Sequence, residues 1–146
     1  MGTMRVLSSK SGIELVRKSA FAPATDVRQA VFKAAQAAES KKAHGTVVLD
    51  VSKVTVLADY FLIAGGDSAN QVRAIVDAVD ESLTQLGYRA RSVEGKKEGR
   101  WVLLDYGDII VHVLHETERS YYKLEQFWNQ ALIVERGEWE QTETSG

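Results

Sequence analysis

The sequence predicts a single domain of the α+β class, in which a mixed β-sheet of about five strands is flanked by helices. Three observations support this class. The chain has 146 residues, which is one domain by length and enough to bury a core. Its composition, 45% hydrophobic and 26% charged residues, is typical of a globular protein. Helical and strand patterns alternate in the order α-β-β-α-β-β-β-α, which places helices against one sheet.

The domain itself is predicted to span residues 25–136. Residues 1–24 lack a clean periodicity and end beside the only proline, Pro23, so we expect a flexible leader there. The first helix is predicted after Thr25, which would serve as its N-cap, and carries small apolar residues at helical spacing. Residues 137–146 are acidic and end in glycine, which predicts a flexible tail.

The middle of the chain predicts two strands followed by a helix. The segments 45–51 and 59–66 are rich in β-branched and aromatic residues and are bounded by glycines. Ser68 and Gln71 have the spacing of a capping box, in which each side chain accepts from the other residue's backbone N–H. Apolar residues from Val72 to Leu86 then recur three and four apart, and Gly87 stands where a helix ends.

The second half predicts a third strand over 88–94, a hairpin and a last helix. The segments 100–106 and 108–115 are two apolar strands joined by a turn at Gly107. Alternation along a strand puts Trp101, Leu103 and Asp105 on one face and the residues between them on the other. The last helix is predicted over 120–133.

Composition excludes several classes of function. There is no cysteine, so thiol catalysis, disulfides and cysteine-ligated zinc are excluded, and the chain fits a reducing compartment. No apolar run is long enough for a membrane span or a signal peptide. The net charge of −2 argues against wrapping of nucleic acid, and no sequence-specific nucleic acid binding is expected. We expect a cytoplasmic protein that does not engage a membrane.

Three kinds of site, for metal binding, nucleotide transfer and nucleophilic catalysis, are not predicted because the residues they need do not have the required spacing. His112 and His115 are three apart on a strand, so they point to opposite faces, and Asp108 lies roughly 13 Å from His112 along it. No metal site is therefore predicted. Gly65-Gly66-Asp67-Ser68 has the layout of a phosphate-binding turn, as in nucleotidyltransferases, but no pair of carboxylates two residues apart follows on the next strand. No serine lies in a nucleophile elbow.

The remaining interpretation is a protein-binding surface on the hairpin. Both strands of the hairpin are apolar at consecutive positions, so both faces require burial, and three helices do not readily cover both. An apolar patch with acidic groups at its rim is typical of a protein-binding site, and Trp and Tyr often anchor such sites. Trp101 and Trp128 as ordinary core residues stay an open alternative.

Several short motifs in order resemble the Iojap-related ribosomal silencing factors. The resemblance runs from about Val27 to Trp128. The matching motifs are Asp59-Tyr60-Phe61, Gln71-Val72-Arg73, Val93-Glu94-Gly95, Gly99-Arg100-Trp101, Asp105-Tyr106-Gly107-Asp108, Val111-His112-Val113, Arg119 with Tyr122, and Leu124-Glu125 with Trp128.

The resemblance implies a fold related to nucleotidyltransferases without their catalytic carboxylates, and a function that is not enzymatic and needs no cofactor. It implies binding to ribosomal protein fourteen of the large ribosomal subunit, which blocks joining of the small subunit and represses translation when nutrients are scarce. The residues expected to bind this partner are Trp101, Leu103, Asp105, Tyr106, Asp108, His112, Glu116, Arg119 and Tyr122.

Two alternatives to silencing stay open at this point, and so does a homodimer. One alternative is an assembly factor of the large subunit, which mitochondrial and plastid relatives of the family suggest. The other is a divergent nucleotidyltransferase-like enzyme that uses Glu94, Asp105 and Asp108.

Overall fold

A computed structural model of the protein describes residues 26–121 and 130–140. The described helices are α1 (Val27–Ser40), α2 (Ala69–Gln85), α3 (Glu116–Tyr121) and α4 (Arg136–Glu140). The described strands are β1 (His44–Asp50), β2 (Tyr60–Gly66), β3 (Ser92–Glu94), β4 (Trp101–Asp105), β5 (Ile109–His115) and β6 (Leu132–Val134). No helix in these two ranges is long and apolar enough to cross a membrane.

The strands form one six-stranded sheet in the order β3-β4-β5-β2-β1-β6. Only the central pair, β2 with β5, runs parallel among these strands, and the neighbouring pairs are antiparallel. The predicted class, a single mixed α/β domain, is therefore confirmed.

The two faces of the sheet have different cover. Alternate residues of β2, β4 and β5 point to a first face, where α1 and α2 pack and most of the core lies. The intervening residues point to a second face, where the buried cluster is smaller and Trp101 and Ile110 are only half-buried. The predicted alternation of the hairpin is confirmed.

Both long helices form as their apolar spacing requires, but their N-termini differ from the prediction. Asp26 caps α1 in place of Thr25, and its carboxylate accepts from the Gln29 N–H at 2.9 Å. Ser68 caps α2 as predicted, with its Oγ 3.0 Å from the Gln71 nitrogen. The Gln71 side chain accepts from the Asp67 N–H rather than from Ser68, which fixes the residue before the cap.

The ends of the chain differ most from the prediction. The third strand is only Ser92–Glu94 rather than 88–94. The predicted last helix over 120–133 is wrong at its end, because Leu132–Val134 pair with β1 as β6. The flexible tail from Gly137 is wrong for residues 137–140, which belong to α4 and bury Trp139 in the first-face core. The predicted leader and residues 122–129 and 141–146 lie outside the described residues.

Two glycines provide a test of the backbone that leads into β4. Gly95 has φ of +84°, and a Cβ there would lie 2.1 Å from the Trp101 carbonyl oxygen. A Cβ on Gly137, in α4, would meet nothing within 4 Å. We expect Gly95→Ala to lower the free energy of unfolding by roughly 2–4 kcal/mol, through backbone strain and the clash.

The matched variant Gly137→Ala should instead raise that free energy by up to about 1 kcal/mol, because alanine is the better helix residue. Urea denaturation measures both variants. Equal effects of the two substitutions would show that the close approach at Gly95 does not constrain β4.

Candidate partner-binding surface

The second face of the hairpin presents a half-exposed aromatic and apolar surface. We call this the docking face and define it as Trp101, Leu103, Ile110 and His112, all of which are partly exposed. The register places Leu103 opposite His112, and Trp101 opposite Leu114. Because α1 and α2 pack on the other side of the sheet, they leave this face partly exposed, and the main core does not depend on it.

The Trp101 side chain is held in place by His112. Its Nε1–H donates to His112 Nδ1 at 3.2 Å, and the two ring centroids are 6.1 Å apart. The Phe61 ring lies on the other side of the imidazole, 5.2 Å away and tilted by 59°. These are diagonal contacts across strands, within the reach of aromatic side chains. The indole is therefore oriented before any partner arrives, which lowers the entropic cost of binding.

His112 acts as a neutral group in this arrangement. Burial disfavours the charged imidazole and lowers the pKa of His112 from 6.5 to about 4. Because Nδ1 accepts from Trp101, the neutral ring carries its proton on Nε2. His112, predicted as a contact residue, thus also positions Trp101.

An acidic edge borders the docking face. The register brings the ends of β1 and β4 together with the starts of β2 and β5. Asp50, Asp59, Asp105 and Asp108 therefore lie together at one end of these strands, which we call the acidic edge. Partial burial, then the charge of Asp108 and of Asp50, raises the pKa of the Asp59 carboxyl. This concentration of negative charge favours a basic partner.

The two predicted aspartates at this edge differ in their local roles. The Asp105 carboxylate accepts from the Gly107 N–H at 2.8 Å and lies 3.3 Å from an Arg91 nitrogen, so it also holds the hairpin turn. Asp108 is exposed, and its backbone carbonyl accepts from the N–H groups of Asp59 and Tyr60. Charge reversal at Asp108 therefore disturbs the fold less than reversal at Asp105.

Tyr106 corrects the prediction. It was expected to bind the partner, but only 6% of it is exposed, and its hydroxyl donates to the Asp80 carboxylate of α2. Burial and this bond raise the pKa of Tyr106. Tyr106 therefore anchors the end of β4 to the helix layer and is not accessible to a partner.

Two of the remaining predicted residues do not join this surface. Glu116 and Arg119 lie in α3, at the far end of β5 from the acidic edge. The Arg119 guanidinium donates to the Gly45 carbonyl at 2.9 Å. Tyr122 and Trp128 lie outside the described residues. The described residues of the predicted set are thus divided between two ends of the sheet.

Sequence reasoning missed an apolar loop beside the acidic edge. Val56 is 101% exposed and Leu57 is 70% exposed, in the loop between β1 and β2. Val54 and Ala58 of the same loop pack in the second-face cluster, so the loop lies on the side of the docking face. The apolar residues of segment 51–58 were the available signal, but only the strand pairing shows which face they join.

The three carboxylates of the enzymatic alternative do not all converge. Glu94 lies opposite Leu103 and Asp105 lies opposite Ser92, so these two are diagonal neighbours on one face of the strand pair. Within the described ranges, the one group of three or more metal-ligating side chains involves none of Glu94, Asp105 and Asp108.

The fold and this surface define a small α+β domain with one helix-covered sheet face and one half-exposed aromatic face. The family model for "Ribosomal silencing factor during starvation" matches residues 24–145. The chain therefore belongs to the family of ribosomal silencing factors, and the resemblance found in the sequence is confirmed.

Relatives and a solved structure agree with this membership. The ribosomal silencing factor RsfS of Bacillus subtilis is 42% identical over 102 residues, which cover 70% of this chain and 86% of the relative. A crystal structure of a Chromobacterium violaceum protein, 35% identical, has a TM-score of 0.69 and covers 72% of this chain and 88% of its own.

Two organellar proteins are more distant relatives. The chloroplastic protein Iojap of Zea mays is 31% identical, over 69% of this chain and 44% of its own length. The mouse protein named "Mitochondrial assembly of ribosomal large subunit protein 1" is 28% identical, over 60% of this chain and 40% of its own.

The pKa of His112 predicts how stability depends on pH. The folded pKa, about 4, lies below the unfolded value of 6.5, so the unfolded chain binds more protons between these values. Stability should therefore fall as the pH drops from 6.5 to 4, by at most about 3 kcal/mol from this residue. His112→Gln, which cannot titrate, should flatten this part of the pH profile measured by urea denaturation.

His115→Gln is the control for the loss of a histidine outside the contact with Phe61 and Trp101. If His112→Gln keeps the wild-type slope, the imidazole of His112 is not neutral by burial.

Proposed function

We propose that the protein binds the large ribosomal subunit through ribosomal protein fourteen, blocks joining of the small subunit, and so represses translation under nutrient limitation in the cytoplasm. Membership of the silencing-factor family supports this proposal. The name of the mouse relative, which refers to the ribosomal large subunit, supports the choice of subunit.

The observation that carries the proposal is the half-exposed Trp101, which His112 fixes on the docking face. A rigid aromatic side chain surrounded by apolar neighbours has the properties of an interface anchor. Leu103 and Ile110 supply apolar area between Trp101 and the acidic edge, which supplies a charged rim.

The negative charge beside the docking face favours a basic partner. Proteins that contact ribosomal RNA carry basic residues that neutralise phosphates. The acidic edge opposes such a surface with several carboxylates, which speeds encounter and sets the orientation of the complex. A partner with acidic groups at the same place would be repelled.

The proposed mechanism needs no catalysis. A globular chain of 146 residues is roughly 35–40 Å across. A body of this size on the surface where the two subunits meet prevents their contact for as long as it stays bound. Glu94, Asp105 and Asp108, all described residues, form no common group of ligating side chains, which supports the view that the protein is not an enzyme.

A role in assembly of the large subunit is the second candidate, and the name of the mouse relative favours it. Both roles would use the same docking face on the same subunit. Depletion of the protein separates them, because an assembly factor leaves immature large subunits, whereas a silencing factor leaves mature subunits that join too readily.

The steric mechanism predicts the distribution of the protein across a sucrose gradient of cell extract. The protein should co-sediment with free large subunits and be scarce on joined ribosomes, because bound protein and bound small subunit exclude each other. Immunodetection across the gradient measures this. Equal occupancy of free large subunits and joined ribosomes would contradict the mechanism.

Truncation of the anchor should weaken binding. An anchor at an interface centre typically contributes about 2 kcal/mol or more, so Trp101→Ala should lower affinity for purified large subunits roughly 30-fold or more. The Tm of the same variant is measured alongside, since Trp101 also packs in the second-face cluster. Unchanged affinity in a folded variant would remove Trp101 from the interface.

Charge reversal tests the acidic edge separately. Asp108→Lys should weaken binding at least about tenfold by placing like charge against a basic partner. Asp77→Lys, an equal charge change on the exposed side of α2, is the matched control and should bind like wild type. If both variants bind alike, the acidic edge does not face the ribosome.

The enzymatic alternative is tested by calorimetry with nucleoside triphosphates and Mg²⁺. We expect no heat of binding, because the described carboxylates of that alternative do not share a site. Saturable heat that Asp105→Asn abolishes would support the enzyme instead.

A further inference from the structure

Three metal-ligating side chains lie close together at the other end of the central strands, away from the acidic edge. The carboxyl ends of the parallel strands β2 and β5 meet there with the start of the antiparallel β1. Asp67 follows β2, Glu116 follows β5, and His44 begins β1. Ligand sites commonly lie just beyond the carboxyl ends of parallel strands.

The donor atoms of these three residues lie close together. His44 Nε2 is 2.8 Å from Asp67 Oδ1. One donor atom from each residue, including a Glu116 carboxylate oxygen, lies within 4.8 Å of the others. Ligands at about 2.0–2.2 Å from a tetrahedral Zn²⁺ are roughly 3.4 Å apart, so small side-chain rotations would bring all three into contact with one ion.

The backbone around these residues is held before any ion binds. The Asp67 N–H donates to Gln71 Oε1, and Ser68 begins the long helix α2 directly after it. In the sheet register His44 lies opposite Gly65, so its position depends on the central strand β2.

A groove of about 370 Å³ opens beside the three side chains. It is lined by His44, Gly45, Gly65, Glu116 and Arg119. A Cβ on Gly45, whose φ is +56°, would lie 3.3 Å from the Arg119 guanidinium, so the glycine lets that side chain lie against the strand. Two of the three donor residues thus face open space, where an ion would keep room for water or another ligand.

We propose that His44, Asp67 and Glu116 form a binding site for a divalent transition metal of the Zn²⁺ class. An imidazole nitrogen with two carboxylate oxygens suits Zn²⁺ and its neighbours, whereas Mg²⁺ and Ca²⁺ prefer all-oxygen sites. With three protein ligands, the ion keeps a free coordination position toward the groove. The site would join the start of β1, the β2–α2 turn and the start of α3.

The site is tested with tag-free, full-length protein by competition of Zn²⁺ against a chromogenic chelator. We expect wild type to bind a single Zn²⁺ per chain and to gain Tm on binding, because the ion binds only the folded arrangement. His44→Ala and Asp67→Asn should each weaken binding by more than about 100-fold, since loss of a second-shell partner alone costs 10–100-fold. Both residues are exposed, and circular dichroism confirms that the variants fold.

Two matched controls identify the ligands. Asp77→Asn removes an exposed carboxylate from α2, the helix that follows Asp67. His115→Gln removes the histidine next to Glu116 in the sequence. Both should bind Zn²⁺ like wild type. The proposal is overturned if wild type does not bind Zn²⁺, if His44→Ala or Asp67→Asn binds as tightly as wild type, or if His115→Gln weakens binding as much as His44→Ala.

Discussion

The parallel pairing of β2 with β5 is the constraint on which the other features of the molecule depend. These strands are far apart in sequence, yet they lie side by side at the centre of the sheet over their full length. The pairing fixes which residues of the hairpin face α1 and α2. It also brings the acidic residues to one edge of the sheet and the residues His44, Asp67 and Glu116 to the other.

The pairing also explains why the docking face can exist in a small domain. The first face holds the large cluster of helix and strand residues, so most of the hydrophobic stabilisation is obtained there. The second face carries a smaller buried cluster, which supports Trp101 from below through Phe61 and His112. A surface that is partly exposed but internally ordered suits a binding role, because the aromatic anchor loses little freedom when a partner covers it.

Local patterns in the sequence predicted the elements whose stability is local. The alternation in β4 and β5 and the spacing in α2 identified these elements and the face on which Trp101 and Leu103 lie. Tyr106 was wrongly expected to be accessible to a partner, because the residue after a strand does not reveal whether a helix side chain, here Asp80, will accept its hydroxyl proton. The strand β6 was mistaken for helix because only its pairing with β1, distant in the chain, defines it.

The histidines show that local sequence patterns do not identify a site formed by residues far apart in the chain. The odd spacing of His112 and His115 correctly separated these two residues, since His112 belongs to the docking face and His115 to the opposite edge. Spacing along one strand relates only residues that are neighbours in the sequence. His44 meets Asp67 and Glu116 because β1, β2 and β5 are adjacent in the sheet, and no short motif could show it.

The two ends of β5 separate two kinds of surface. The strand has seven residues and is therefore roughly 20 Å long, which is about two Debye lengths at physiological ionic strength. A charge added in the groove is therefore largely screened from the acidic edge. The anchor and the acidic edge can be matched to a protein partner while the groove is matched to a small ion, because each depends on a different end of the same central strands.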